Sequence, residues 1–212
     1  IILFVCSSVI RAQNLRQLLN EDGLASSAVM CIHQSANGVL WLGTLDGLNI
    51  YYGMKVERPR GTSVGLSLEG YIIERIVSAG EHTLWVQTGY GLKMIDTEAG
   101  KMADFPQFTG LYMLRDAGLG RAVVLDTKRQ LYLYQPSDSA FVRVPYSITA
   151  SEEITDLGGT EDFFWTAGAA GVYRYNWSVT DTGEYRLDQA VCLTDNSVKY
   201  CTVTSEAETL YI

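Results

Sequence analysis

The stretch Leu40-Trp41-Leu42-Gly43-Thr44-Leu45-Asp46-Gly47-Leu48-Asn49-Ile50-Tyr51 constrains the fold more than any other. It reads as a strand, a tight turn and a return strand. Leu40, Trp41 and Leu42 are apolar at successive positions, as in a strand buried on both faces. Asp46-Gly47 is a strong hairpin signal, because tight turns need positive φ and glycine adopts it without a Cβ clash. Leu48, Ile50 and Tyr51 carry the return strand. A single hairpin fixes little, but this one recurs.

Leu84-Trp85-Val86-Gln87-Thr88-Gly89-Tyr90-Gly91-Leu92 repeats the Trp, Thr, Gly and Leu at the same offsets. Phe164-Trp165-Thr166-Ala167-Gly168-Ala169-Ala170-Gly171-Val172 keeps the Trp and the second Gly. A weaker copy runs from Val123 to Leu131, with Val124 in the Trp place and Gln130 in the Gly place. That third turn is therefore either strained by about 1 kcal/mol or built differently. Leu210-Tyr211-Ile212 reads as the start of a fifth copy. The anchors recur at roughly 40–45 residues, the period of a four-stranded propeller blade. An apolar strand precedes each anchor: Ala28 to His33, Tyr71 to Val77, Leu111 to Leu114, Ile154 to Leu157 and Val198 to Val203. A more polar fourth strand follows, as at Lys55 to Arg58 and Phe141 to Val144.

The sequence thus predicts an all-β chain forming a β-propeller, with about four complete four-stranded blades and the start of a fifth. One blade alone exposes two apolar faces, so its neighbours must bury them. Trp41, Trp85 and Trp165 are read as wedges between blades, each covering about 150–250 Å². Thirteen Tyr, four Trp and twenty Gly against four Pro suit many short strands joined by tight turns. A net charge of −8 with no basic stripe argues against a nucleic-acid partner.

Residues 1–12 read as the remnant of a secretory signal peptide: a short apolar run, too short to span a bilayer, followed by Arg11-Ala12. Residues 13–212 are then the incomplete propeller. Outside the leader, Cys31, Cys192 and Cys201 make no disulfide framework. Neither His33 nor His82 has ligands at metal-binding spacing, so no metal and no cofactor is expected. There is no nucleophile elbow, phosphate loop or dinucleotide fingerprint, and Glu152-Glu153 reads as a solvated turn, so no catalytic residue is assigned. Asn176-Trp177-Ser178 matches a glycosylation acceptor that matters only in a eukaryotic secretory route. Ligands of propellers usually meet the face carrying the second-to-third-strand turns. Here those turns offer Asp46, Tyr90, Lys128 and Arg129 as candidate ligand-binding residues, with Ala169 and Ala170 in the fourth.

Asp22-Gly23-Leu24, Cys31-Ile32-His33-Gln34, Gly38-Val39-Leu40-Trp41-Leu42-Gly43-Thr44 and Gly47-Leu48-Asn49 together resemble the two-component regulator propeller repeat. That repeat has a D-G-L lead-in and a G-x-L-W-x-G-T-x-x-G-L core. The family usually has Asp in the first inner turn, where this chain has Ser35. The resemblance implies a seven-bladed propeller in the periplasmic region of a hybrid two-component sensor histidine kinase. It also implies a homodimeric full-length chain with a membrane span, kinase core and DNA-binding domain downstream, responding to oligosaccharides from polysaccharide breakdown. This stretch would then be no enzyme itself. The alternatives are an exported carbohydrate-active enzyme on a propeller scaffold, which would need converging carboxylates or a His-Tyr pair, and a structural spacer.

Overall fold

A computed structural model of the chain describes residues 17–59, 66–111, 113–117, 121–145, 154–160, 163–169, 171–181, 183, 185–194, 202–204 and 209–211. The expected signal remnant, Glu152-Glu153, Ala170 and Cys201 lie outside them. The described strands form four antiparallel four-stranded sheets, each in chain order, and one two-stranded sheet. Blade 1 is β1 (Val29–Gln34), β2 (Leu40–Thr44), β3 (Gly47–Tyr51) and β4 (Val56–Glu57). Blade 2 is β5 (Ile73–Ser78), β6 (Thr83–Thr88), β7 (Gly91–Asp96) and β8 (Lys101–Phe105). Blade 3 is β9 (Met113–Asp116), β10 (Ala122–Leu125), β11 (Leu131–Gln135) and β12 (Ala140–Arg143). Blade 4 is β13 (Ile154–Gly159), β14 (Phe163–Gly168), β15 (Gly171–Val179) and β16 (Tyr185–Thr194). A fifth unit contributes β17 (Thr202–Thr204) and β18 (Thr209–Tyr211). The first strands β1, β5, β9, β13 and β17 touch one another in that order, so the sheets fan about one axis with these strands innermost. The fold is an all-β propeller, as the repeat predicts.

Alternation along the second strands decides how the blades stack. Trp41 joins Leu84, Val86 and Ile95 of blade 2, and Trp85 joins Ala122, Val124 and Tyr134 of blade 3. Both indoles are buried, with Trp85 wholly so. The third unit departs from expectation. Val124 does not stand in for the Trp, because its side chain points back to blade 2. Val123 and Leu125 face forward onto Ile154, Leu157 and Phe164 of blade 4. The hairpin of this unit explains the slip. Leu125 pairs with Leu131, so the turn contains Asp126 to Gln130 and starts earlier than the alignment through Thr127 implies.

The short hairpins show why the motif carries Thr and Gly. Thr44 Oγ1 donates to the Gly47 carbonyl (2.9 Å) and accepts the Asp46 amide (3.1 Å). Thr88 does the same with Gly91 (2.9 Å) and the Tyr90 amide (3.2 Å). The turn tips are Leu45-Asp46 and Gly89-Tyr90, one residue earlier than an Asp46-Gly47 turn would place the first, because Thr44 pairs directly with Gly47. Gly47 sits at φ 110°, and a Cβ there would lie 2.6 Å from the Ser67 carbonyl, which the Leu48 amide engages at 2.7 Å. Glycine is needed both for the backbone and for the strap from blade 1 to blade 2 that crosses it. In the third unit the positive φ moves to Arg129 (61°), and Asp126 Oδ1 accepts the Lys128 and Gln130 amides, both at 2.8 Å. That turn is built differently rather than strained at Gln130.

Candidate functional site

The second-to-third-strand turns and the connections between blades share one end of the propeller. At the seam of blades 1 and 2 this rim gathers an aromatic and acidic patch. Asp46 Oδ1 accepts the Gly70 amide at 2.9 Å, which fixes the strap beside the first turn. The next residue, Tyr71, meets Tyr90 edge to face, with centroids 5.5 Å apart and planes at 81°. Tyr90 is 70% exposed, and Leu45 and Ile72 beside them are also exposed. Beneath the pair, Lys93 Nζ lies 5.1 Å from the Tyr71 ring centroid and 2.8 Å from Asp104, so its charge is neutralised within the blade.

Glu74 reaches the same patch through a backbone irregularity. The pairing of β5 with β6 shifts register between Ile73 and Arg75, which leaves Glu74 as the extra residue of a bulge. The same break occurs at Met30 in β1 and Thr155 in β13. Glu74 Oε2 accepts Gln87 Nε2 at 2.8 Å, and Oε1 lies 3.8 Å from where a Cβ of Gly89 would be. Gln87 is buried at 2% exposure, and its Oε1 has no hydrogen-bond partner among the described residues.

The structure thus brings Asp46 and Tyr90 into one patch and adds Tyr71, Glu74 and Gln87, which sequence reasoning missed. Tyr71 was legible only as part of a first strand, and bulges leave no local signature. Lys128 and Arg129 stand on the longer turn of blade 3. Arg129 Nη1 donates to the Ile154 carbonyl (3.0 Å) and so reaches forward to blade 4. Ala169 is exposed at the fourth turn. Among the described residues, no group of three His, Cys, Asp or Glu side chains could share a metal ion.

The opposite end carries a cleft of about 520 Å³ between blades 1 and 2, with Trp41, Leu84 and Ile95 inside and Ser35, Ser78 and His82 on its walls. Pro59 and Leu66, the described residues that flank residues 60–65, also line it. Trp41 Nε1 donates to Ser35 Oγ at 2.7 Å, so the first inner turn satisfies the buried indole. On the seam itself, burial pushes the half-buried Cys31 thiol up to about 11 and lowers the basicity of His33.

Residues 23–46, from the Gly23-Leu24 of the lead-in through the first hairpin tip, match the family model described as two component regulator propeller. Over those residues the chain is similar to one two component regulator propeller repeat. Solved structures agree on the architecture. The extracellular domain assigned to the hybrid two component system BT3049 of B. thetaiotaomicron superposes with a TM-score of 0.55 at 15% identity, over 86% of this chain and 25% of that one. PorZ of Porphyromonas gingivalis, a surface component of the type-IX secretion system, gives 0.58 at 17%, over 87% and 24%. The Cps50 (Swd1) β-propeller domain of Myceliophteria thermophila gives 0.58 at 18%, over 86% and 60%. The chain therefore spans about a quarter of the first two. No curated protein sequence matches it significantly.

Proposed function

We propose that this propeller is a ligand-sensing module of an exported sensor, reading oligosaccharides released by polysaccharide breakdown at the rim of blades 1 and 2. The observation that carries the reading is the regulator-propeller repeat at residues 23–46, which ends at Asp46, the first residue of the Tyr71–Tyr90 patch. The exposed Tyr90 ring and the half-buried Tyr71 ring offer apolar faces with a polar tip, and Asp46 and Glu74 supply acceptors for hydroxyl groups. Among the described residues no helix is long and apolar enough to cross a membrane, which fits a domain that lies wholly outside one. In this reading the module does no chemistry. Phosphotransfer belongs to a kinase core elsewhere in a homodimeric full-length chain, and Lys128 and Arg129 form a secondary contact at the rim of blade 3.

Two measurements test this. Extending the gene downstream should reveal a membrane span followed by a histidine-kinase core. Calorimetric titration of the full exported region with a panel of plant and host oligosaccharides should find a binder whose affinity falls at least about tenfold in Tyr90→Ala. A panel with no binder, or a binder indifferent to Tyr90→Ala, overturns the assignment of the rim.

A further inference from the structure

The seam between blades 1 and 2 is tied on its inner side by a histidine. His33, on the innermost strand β1, places Nε2 2.6 Å from Ser78 Oγ and 3.1 Å from the Ser78 backbone nitrogen at the end of β5. A backbone N–H can only donate, so Nε2 must be the unprotonated acceptor and the ring proton sits on Nδ1. The serine hydroxyl can rotate to donate or accept, but the amide has no such freedom.

We propose that His33 and Ser78 form a proton-operated latch on the seam of blades 1 and 2, whose bond from the Ser78 amide is made while the imidazole is neutral and released when it gains a proton. Protonation puts an N–H on Nε2 that the Ser78 hydroxyl can rotate to accept, but the Ser78 amide loses its acceptor and faces a second donor. The ionisable groups on the elements packed around the ring are Cys31 on β1 itself, Glu74 and Arg75 on β5, and Glu81 and His82 in the turn after Ser78; β2 contributes none. Glu81 and Glu98 turn instead toward His82, at 3.7 and 4.0 Å. Burial is the sole cause acting on His33, and it disfavours the cation. The sign follows: a depressed folded value means that the neutral ring's contribution is complete above the ordinary value near 6.5. It is lost as pH falls below that value toward the lower folded one. Ser78 also walls the cleft at this seam. The latch does not depend on the sensing role proposed above.

The test uses the full exported region, labelled for histidine nitrogen and backbone amide NMR. His33 is expected in the Nδ1–H form at pH 7.5 and to titrate below 6.5. Exchange of the Ser78 amide, corrected for the intrinsic pH dependence, should rise at least about tenfold between pH 7.5 and 5. His33→Gln, whose side-chain carbonyl can accept the same amide without titrating, should abolish that step, whereas His82→Gln should leave it. An Nε2–H tautomer, a titration at or above 6.5, or a step that survives His33→Gln overturns the latch. The tautomer and titration are read on the unsubstituted protein, so the outcome does not depend on the variant folding.

Discussion

The seam between blades 2 and 3 and the seam between blades 3 and 4 solve the same packing problem from opposite sides. At the first, Trp85 projects forward from β6 into Tyr134 and Phe141, beside Phe105 of its own blade, with centroids 4.7 to 5.4 Å away. At the second, β10 offers only Val123 and Leu125 forward, and bulk comes backward from blade 4 as Phe164 and Tyr175, both buried to 1% or less. Trp177 and Tyr185 extend that cluster outward, and Arg121 stacks on Tyr185 at 3.6 Å. A propeller interface needs its volume filled; it does not matter which blade supplies the large side chain.

The comparison breaks most readily through truncation. Trp85→Ala should cost about 3–5 kcal/mol, and Phe164→Ala about the same, because each removes the main filler of its seam. Chemical denaturation of the exported region checks this. If Phe164→Ala costs under about 1 kcal/mol, blade 4 does not replace the missing indole. Next in size is Gly43→Ala. Its Cβ would stand 2.5 Å from Cys31 Sγ and 2.6 Å from Ile73 Cγ2, so a loss of about 1–3 kcal/mol is expected at the first seam.

A smaller effect of opposite sign sharpens the contrast between the first and second seams. Ser35 accepts the Trp41 indole N–H, but Ala79 holds the corresponding place six residues before Trp85, whose buried Nε1 has no partner among the described residues. Ala79→Ser should stabilise the protein by about 0.5–1.5 kcal/mol, read as a rise in denaturation midpoint; a fall would mean that the hydroxyl cannot reach the indole. The smallest perturbation is chemical. At pH 8 the exposed Cys192 should react with iodoacetamide at least about tenfold faster than Cys31, whose thiol burial pushes up to about 11. Peptide mass spectrometry reads the ratio, and equal rates would mean that the first seam opens freely.

Much of this was legible in the residues. The repeated Leu-Trp, Thr and Gly announced four-stranded units, because Thr caps the hairpin and Gly clears the strap above it wherever the motif is intact. Two of the five residues of the rim patch were legible too, since Asp46 and Tyr90 are turn residues by position. Tyr71, Glu74 and Gln87 were not, because a connection brings the first, a bulge aims the second, and the third meets that bulged residue on the neighbouring strand.

The sequence alone determined the period, the alternation and hence the propeller, since those depend on local hydrogen bonding and on which side chains avoid water. Tertiary structure alone decided which face of β10 meets which neighbour. A strand's two faces differ by a single residue of register, and the longer Asp126–Gln130 turn moved that register by one. It also decided that His33 would find Ser78, a contact between strands of different blades that only their stacking about a common axis creates.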